Sequence, residues 1–181
     1  MKHIGTRELE TERLLLRKIS LNDAEAMYNN WANDDVVTKY VTWPTHQSVE
    51  DTKGLLAMWE AEYENDNCYR WIIELKAEKK AIGTIDVCRM NEGDGVAEIG
   101  YVISREYWNR GIVTEAAKKV LEYLLNEVGF YRIEAQHHLD NPASGKVMQK
   151  IGMKYEGVVR GGRLVKGEHV DVAMYAILKI D

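Results

Sequence analysis

Glu98, Arg110, Gly111 and Ser144 are the residues whose types and spacing best suit chemistry. The run Glu98-Ile99-Gly100-Tyr101-Val102-Ile103 reads as a strand, and Ser104 to Trp108 as a short loop. Asn109-Arg110-Gly111-Ile112-Val113-Thr114-Glu115-Ala116 then opens a helix. The first turn of a helix has unpaired N–H groups and the positive end of the macrodipole, so an anion can sit there. Arg110 adds a formal cation, and Gly111 would let a phosphate approach the backbone closely. The plainer reading is a strand-to-helix turn in which the glycine serves geometry alone. Gly100, inside the strand, suggests a bulge, which would leave amides free to bond an extended ligand that carries amides of its own. A pyrophosphate at one end and peptide-like amides at the other describe coenzyme A.

The elements that must position these groups are legible in the periodicity. Leu14 to Ile19 alternates as a first strand. Ser20 with Asp23, and Ser48 with Asp51, are capping signals for two helices. Between them Asn33 to Gln47 is a loop with Tyr40, Trp43 and Pro44. Tyr69 to Leu75 and Ala81 to Met90 read as strands, and Gly93-Asp94-Gly95 as the turn into Val96 to Ile103. Val113, Ala116, Ala117, Val120, Leu121, Leu124, Leu125 and Val128 recur at helical spacing, with Gly129 placed to end the helix. Arg132 to Leu139 is a strand, and Asn141-Pro142 starts a helix that runs to Gly152. Tyr155 to Val159 and His169 to Leu178 close the chain as strands. Elements so interleaved, with hairpins at both ends, predict one mixed α/β (α+β) domain over residues 1–181.

Several functions are excluded. There is no P-loop, no G-x-G-x-x-G and no G-x-S-x-G. Adjacent His137 and His138 on a strand face opposite ways, so no metal site is expected. The 24 Lys and Arg against 29 Asp and Glu give a net charge of −5, a poor match to nucleic acid. No apolar run approaches the roughly 20 residues of a membrane span, and the polar start of the chain does not resemble a secretory signal. The two cysteines, Cys68 and Cys88, form no framework and are expected as buried hydrophobes in a reducing cytoplasm.

Five separated blocks resemble the GNAT acyltransferases, and most closely the ribosomal-protein N-terminal acetyltransferases of the RimJ/RimL type. They are Thr11 to Arg17, Ala97 to Val102, Tyr107 to Ala116, Asn141-Pro142-Ala143-Ser144 and Lys150-Ile151-Gly152-Met153. The resemblance implies a mostly antiparallel central sheet, splayed at a bulged strand and flanked by helices, and acetyl-CoA as cosubstrate. It implies that the backbone of Tyr101, Val102 and Ile103 pairs with pantetheine. Asn109, Arg110, Gly111, Ile112, Val113 and Thr114 would wrap the pyrophosphate, and Asn141 would bond the pantetheine arm. Trp108 and Val113 depart from the usual loop pattern, with little effect on a site made of backbone. Glu98 would be the general base, directly or through water, and Ser144 would meet the departing sulfur. The corresponding plain readings are a strand glutamate paired with a lysine and a helix-start serine. Tyr40 and Trp43 are candidates for the acceptor groove. Trp31 is read with them, whereas Trp59 and Tyr63 read as core. The expected acceptor is a protein N-terminal α-amine, with a small amine (polyamine or aminoglycoside) or a non-catalytic CoA-binding module as alternatives. A homodimer is the assembly the resemblance suggests.

Overall fold

A computed structural model describes residues 1–181. Eight strands form one sheet: β1 (Leu9–Glu10), β2 (Leu14–Arg17), β3 (Arg70–Leu75), β4 (Lys80–Asn91), β5 (Val96–Ile103), β6 (Arg132–His138), β7 (Lys154–Val165) and β8 (Glu168–Leu178). Their order is β1-β2-β3-β4-β5-β6-β8-β7, and every neighbouring pair is antiparallel except β5 with β6. That parallel pair holds only from Val96 to Glu98, opposite Arg132 to Glu134. Beyond it both strands run on unpaired with each other, so the sheet forks. The outward backbone groups at the end of β5 are left free there, as the sequence led one to expect.

The bulge lies elsewhere than expected. Gly100 pairs in register with Asp86, and the extra residue is Cys88 on β4, between Val87 opposite Ile99 and Arg89 opposite Glu98. The expectation of two buried cysteines also fails, for Cys88 because of that bulge. A bulged residue is turned out of the ladder, so Cys88 is exposed, while Cys68 is only half-buried.

Two apolar layers sandwich the sheet. On one face lies α3 (Ile112–Glu122), which continues as wider turns through Val128 and ends at left-handed Gly129. All eight residues of its predicted stripe are buried; burying each Val or Leu is worth about 1.5–3 kcal/mol. The helix α4 (Pro142–Lys150) packs beside it. The other face holds α1 (Ala24–Met27), whose next turn carries buried Trp31, and α2 (Val49–Glu62). The Ser48 hydroxyl accepts from Asp51 N–H, and the Asp51 carboxylate accepts from Ser48 N–H, which completes the predicted capping box. Trp31 belongs to this second core rather than to an acceptor groove.

β7 is much longer than predicted, because the strand does not end at Val159 but continues through a bulge to Val165. Three residues, Arg160 to Gly162, stand between Val159, opposite Val172, and Arg163, opposite Val170. A Cβ on Gly162 would lie 2.9 Å from both Val159 and Val172 side chains, so only glycine fits. The bulge curls the β7–β8 arm back over the α1/α2 face, where Lys166 Nζ donates to the Thr38 carbonyl at 2.9 Å. No helix is long and apolar enough to cross a membrane.

Candidate active site

The site is built around the fork. Successive residues of β5 alternate between the faces: Ile99, Tyr101 and Ile103 join the α3/α4 layer, while Val102 packs on the α1/α2 core and Glu98 shares its face.

On the α3 side, Asn109 (φ 60°) and Gly111 (φ 72°) both adopt left-handed backbone on either side of Arg110. Such alternation turns successive N–H groups into one concave nest. The backbone N–H groups of Asn109, Arg110, Gly111, Ile112, Val113 and Thr114 donate to no group of the chain. The first turn of α3 begins inside this run, so the helix dipole and the Arg110 guanidinium add to its positive potential. Trp108 Nε1 donates to the Ile103 carbonyl at 3.0 Å and ties the loop to the end of β5. These six residues can hold a pyrophosphate.

Two side chains meet between β5 and α4. The Tyr101 hydroxyl lies 2.9 Å from Ser144 Oγ and 3.0 Å from the Ser144 carbonyl oxygen. Burial pushes the phenol up to about 12, so it stays protonated and acts as a donor. The sequence placed Tyr101 through its backbone alone and missed this role of the side chain. Helical Ser144 and Tyr101 are 43 residues apart, so no local pattern joins them. Asn141 stands at the N-cap of α4, but its side chain makes no capping bond, which leaves its amide available. His137 stacks near Tyr175 and lies against Gly145, while His138 is beside Tyr40. The two histidines therefore point to opposite faces, as their adjacency requires.

On the α1/α2 side, Glu98 is 7% exposed at the last paired position before the fork. Its Oε1 accepts from Gln136 Nε2 at 2.8 Å and from Arg163 at 2.6 Å. Its Oε2 has only Arg89 near it, at 4.0 Å, beyond hydrogen-bond reach. The partner is thus an arginine brought across by the β7 bulge, not the lysine of the plain reading. One oxygen is committed and the other retains its lone pairs for a further donor.

Tyr40 ties the loop after α1 to the turn before α4: its hydroxyl donates to the Asp140 carbonyl at 3.0 Å, and its ring centroid is 5.1 Å from that of His138. Trp43 is not beside it. It packs on the second core and near His46, which makes it a support for the loop. Trp59 stacks under Arg70 and the Tyr63 hydroxyl donates to the Arg70 carbonyl, both structural as expected.

Comparison with known proteins gives the same picture. Residues 13–154 match the model of the acetyltransferase (GNAT) domain. The uncharacterized N-acetyltransferase YoaA of Bacillus subtilis is 36% identical over 171 residues, 94% of this chain and 96% of that protein. The ribosomal-protein-serine acetyltransferase of Escherichia coli is 24% identical over 168 residues, 92% of this chain and 93% of that one. The crystal structure of a GNAT-family acetyltransferase from Bacillus anthracis superposes with a TM-score of 0.84 at 31% identity, covering 97% of this chain and all of the other. RimL, a ribosomal alpha-N-protein acetyltransferase solved with coenzyme A, gives the same TM-score at 18% identity over 95% of this chain and 98% of its own, a likeness of fold.

Proposed function

The chain belongs to the GNAT acetyltransferase family, and on that premise we propose that all 181 residues act as one domain that acetylates a protein N-terminal α-amine, such as that of a ribosomal protein in the cytoplasm. The observation that carries this reading is the fork, with Tyr101 and Ser144 on one face of its edge and Glu98 on the other. Acetyl-CoA would enter from the α3/α4 side. Its pyrophosphate would lie on the amides of Asn109 to Thr114, and its pantetheine arm would run between Asn141 and the free edge at Tyr101, Val102 and Ile103. The amine would enter from the α1/α2 side, under Tyr40.

In this arrangement Glu98 Oε2 takes the proton of the attacking nitrogen, directly or through a water. A β5 amide near Gly100 bonds the carbonyl oxygen as charge develops on it. The carbon–sulfur bond then breaks, and the Ser144 hydroxyl donates to the departing sulfur. Tyr101 donates its one hydrogen to the Ser144 carbonyl and sits 2.9 Å from Ser144 Oγ, which fixes where that serine stands beside the sulfur. An α-amine suits this machinery, because its ordinary pKa is near 8 and a lysine amine holds its proton about two units more tightly. The Arg163–Glu98 pair also removes the free negative charge that would trap a polyamine. The relative from Escherichia coli, by its name, acts on a ribosomal-protein serine, which supports the acceptor class.

The test is a panel of acceptors scored by thiol release from acetyl-CoA: peptides beginning with Ser or Ala, the same peptides N-blocked with a free lysine, and spermidine. Free N-termini should lead in kcat/KM. A tenfold lead for spermidine, about 1.4 kcal/mol of transition-state preference, would replace this acceptor with a small amine.

A further inference from the structure

We propose that Arg13 and Glu115 form a clamp that sets the phosphate loop in its anion-binding shape, so that Arg13 is a positioning residue for the pyrophosphate although it lies 97 residues away in sequence. This rests on the reading of Asn109 to Thr114 as the pyrophosphate cradle.

Four bonds converge on one spot. Glu115, in the first turn of α3, accepts through Oε1 from the Thr11 hydroxyl and from Arg13 N–H, at 3.0 Å for the latter. Its Oε2 accepts from Arg13 Nε at 2.6 Å. The same guanidinium donates through its Nη1 to the carbonyl of Arg110 at 3.0 Å. Its other terminal nitrogen lies along the loop, 3.7 Å from where a Cβ on Gly111 would stand. The turn before β2 is thereby locked to the loop before α3, and the Thr11 hydroxyl also accepts from Leu14 N–H to fix that turn.

The consequence follows from the planar peptide. In a trans peptide the C=O and the following N–H point in opposite directions. Arg13 draws the Arg110 carbonyl to itself, so the Gly111 N–H must point the other way, out of the clamp and into the nest. Arg110 sits between two left-handed residues, a conformation that costs a non-glycine residue such as Asn109 and persists only when its surroundings impose it. A flipped peptide would present a carbonyl oxygen to the phosphates instead. The clamp also solves a problem of charge. Glu115 is a carboxylate one turn from an anion site, and Arg13 pairs with it, so the cradle keeps the positive potential of Arg110 and the helix end. A lysine could match the charge but not the fork that reaches both Glu115 and the Arg110 carbonyl.

The experiment compares wild type with Arg13→Gln and Arg13→Lys. Calorimetry measures the Kd of CoA, and kcat/KM is measured with acetyl-CoA and with S-acetylpantetheine, which lacks the pyrophosphate. Both variants should bind CoA about tenfold more weakly, the size expected when one charge-assisted bond of about 1.4 kcal/mol is lost. The ratio of kcat/KM for acetyl-CoA over S-acetylpantetheine should fall by a similar factor, while kcat at saturating acetyl-CoA stays within about twofold. Equal losses with the two donors, or CoA affinity kept in Arg13→Lys, would overturn the clamp. A variant too unstable to assay is replaced by Thr11→Ala, which loosens Glu115 and should shift the donor ratio in the same direction; an unmoved ratio counts against the proposal. Failure of the wild-type protein itself to bind CoA would instead remove the pyrophosphate reading beneath it.

Discussion

Glu98 is held by Gln136 and Arg163, so any substitution there changes an ion pair as well as a base. Glu98→Gln should lower kcat by about 10²–10⁴-fold, the usual loss for a positioned general base. It should also cost stability, because the half-buried Arg163 is left without its counter-charge. The double variant Glu98→Gln/Arg163→Gln separates the two effects. Thermal unfolding should recover much of the loss while kcat remains low. Recovery of kcat along with stability would make Glu98 a structural residue. The pair Tyr101 and Ser144 allows a second separation. Ser144→Ala should slow thiol release with the fold intact, since Ala suits the first turn of a helix. Tyr101→Phe should slow it less, and should have no further effect on thiol release in the Ser144→Ala background, because the phenol acts by positioning that serine. Additive losses on kcat would show that Tyr101 meets the sulfur or the carbonyl by its own route.

At the scale of elements, the first turn of α3 concentrates the titratable chemistry in Glu115. Burial acts to raise this carboxyl, but the bonds from Thr11 and Arg13 outweigh it and hold it below the ordinary glutamate value. A depressed folded-state pKa contributes stability that is complete above the unfolded value and is lost as pH falls through the folded one. The difference in Tm between wild type and Glu115→Gln should therefore be constant above about pH 5 and shrink below the ordinary value of about 4.3. A difference that grows on acidification would refute the clamp's electrostatics. This element also shows what a sequence can and cannot disclose. The stripe from Val113 to Val128 was legible because a buried helix face repeats every 3.6 residues. The partners of that helix were not, since the bonds of Arg13 to Arg110 and Glu115 span 97 and 102 residues with no period to announce them. The same holds for Arg163, 65 residues from Glu98. Gly100 was read as the bulge because glycine in a strand permits one, yet the ladder places the extra residue at Cys88, which has no such signal. The strand expected to end at Val159 runs on through a bulge to Val165, since a bulge interrupts the alternation that marks a strand without ending its pairing.

For the whole molecule, the fork is an interruption in a sheet that otherwise bonds its eight strands edge to edge. Above Glu98, the α3/α4 layer and the α1/α2 layer meet across a gap that β5 and β6 do not close. The straps over it are side-chain contacts: Tyr40 to Asp140 and Lys166 to Thr38. A ligand that pairs with the free edge of β5 and with the nest before α3 would supply the missing connection in the native state alone. Linkage then sets the size of the effect. CoA at about one hundred times its Kd should add about 2.7 kcal/mol to the stability of the folded state. For a chain of this length each kcal/mol moves Tm by about 2–4 °C, so CoA should raise it by about 5–10 °C. Gly111→Asp should abolish the shift, because it puts a carboxylate at the anion site and forces a side chain onto left-handed backbone with φ of 72°. The variant's own Tm without ligand reports the backbone strain, and the lost increment reports the anion site. A full increment in folded Gly111→Asp would mean that the nest before α3 does not hold the pyrophosphate, and that CoA closes the fork by its pantetheine arm alone.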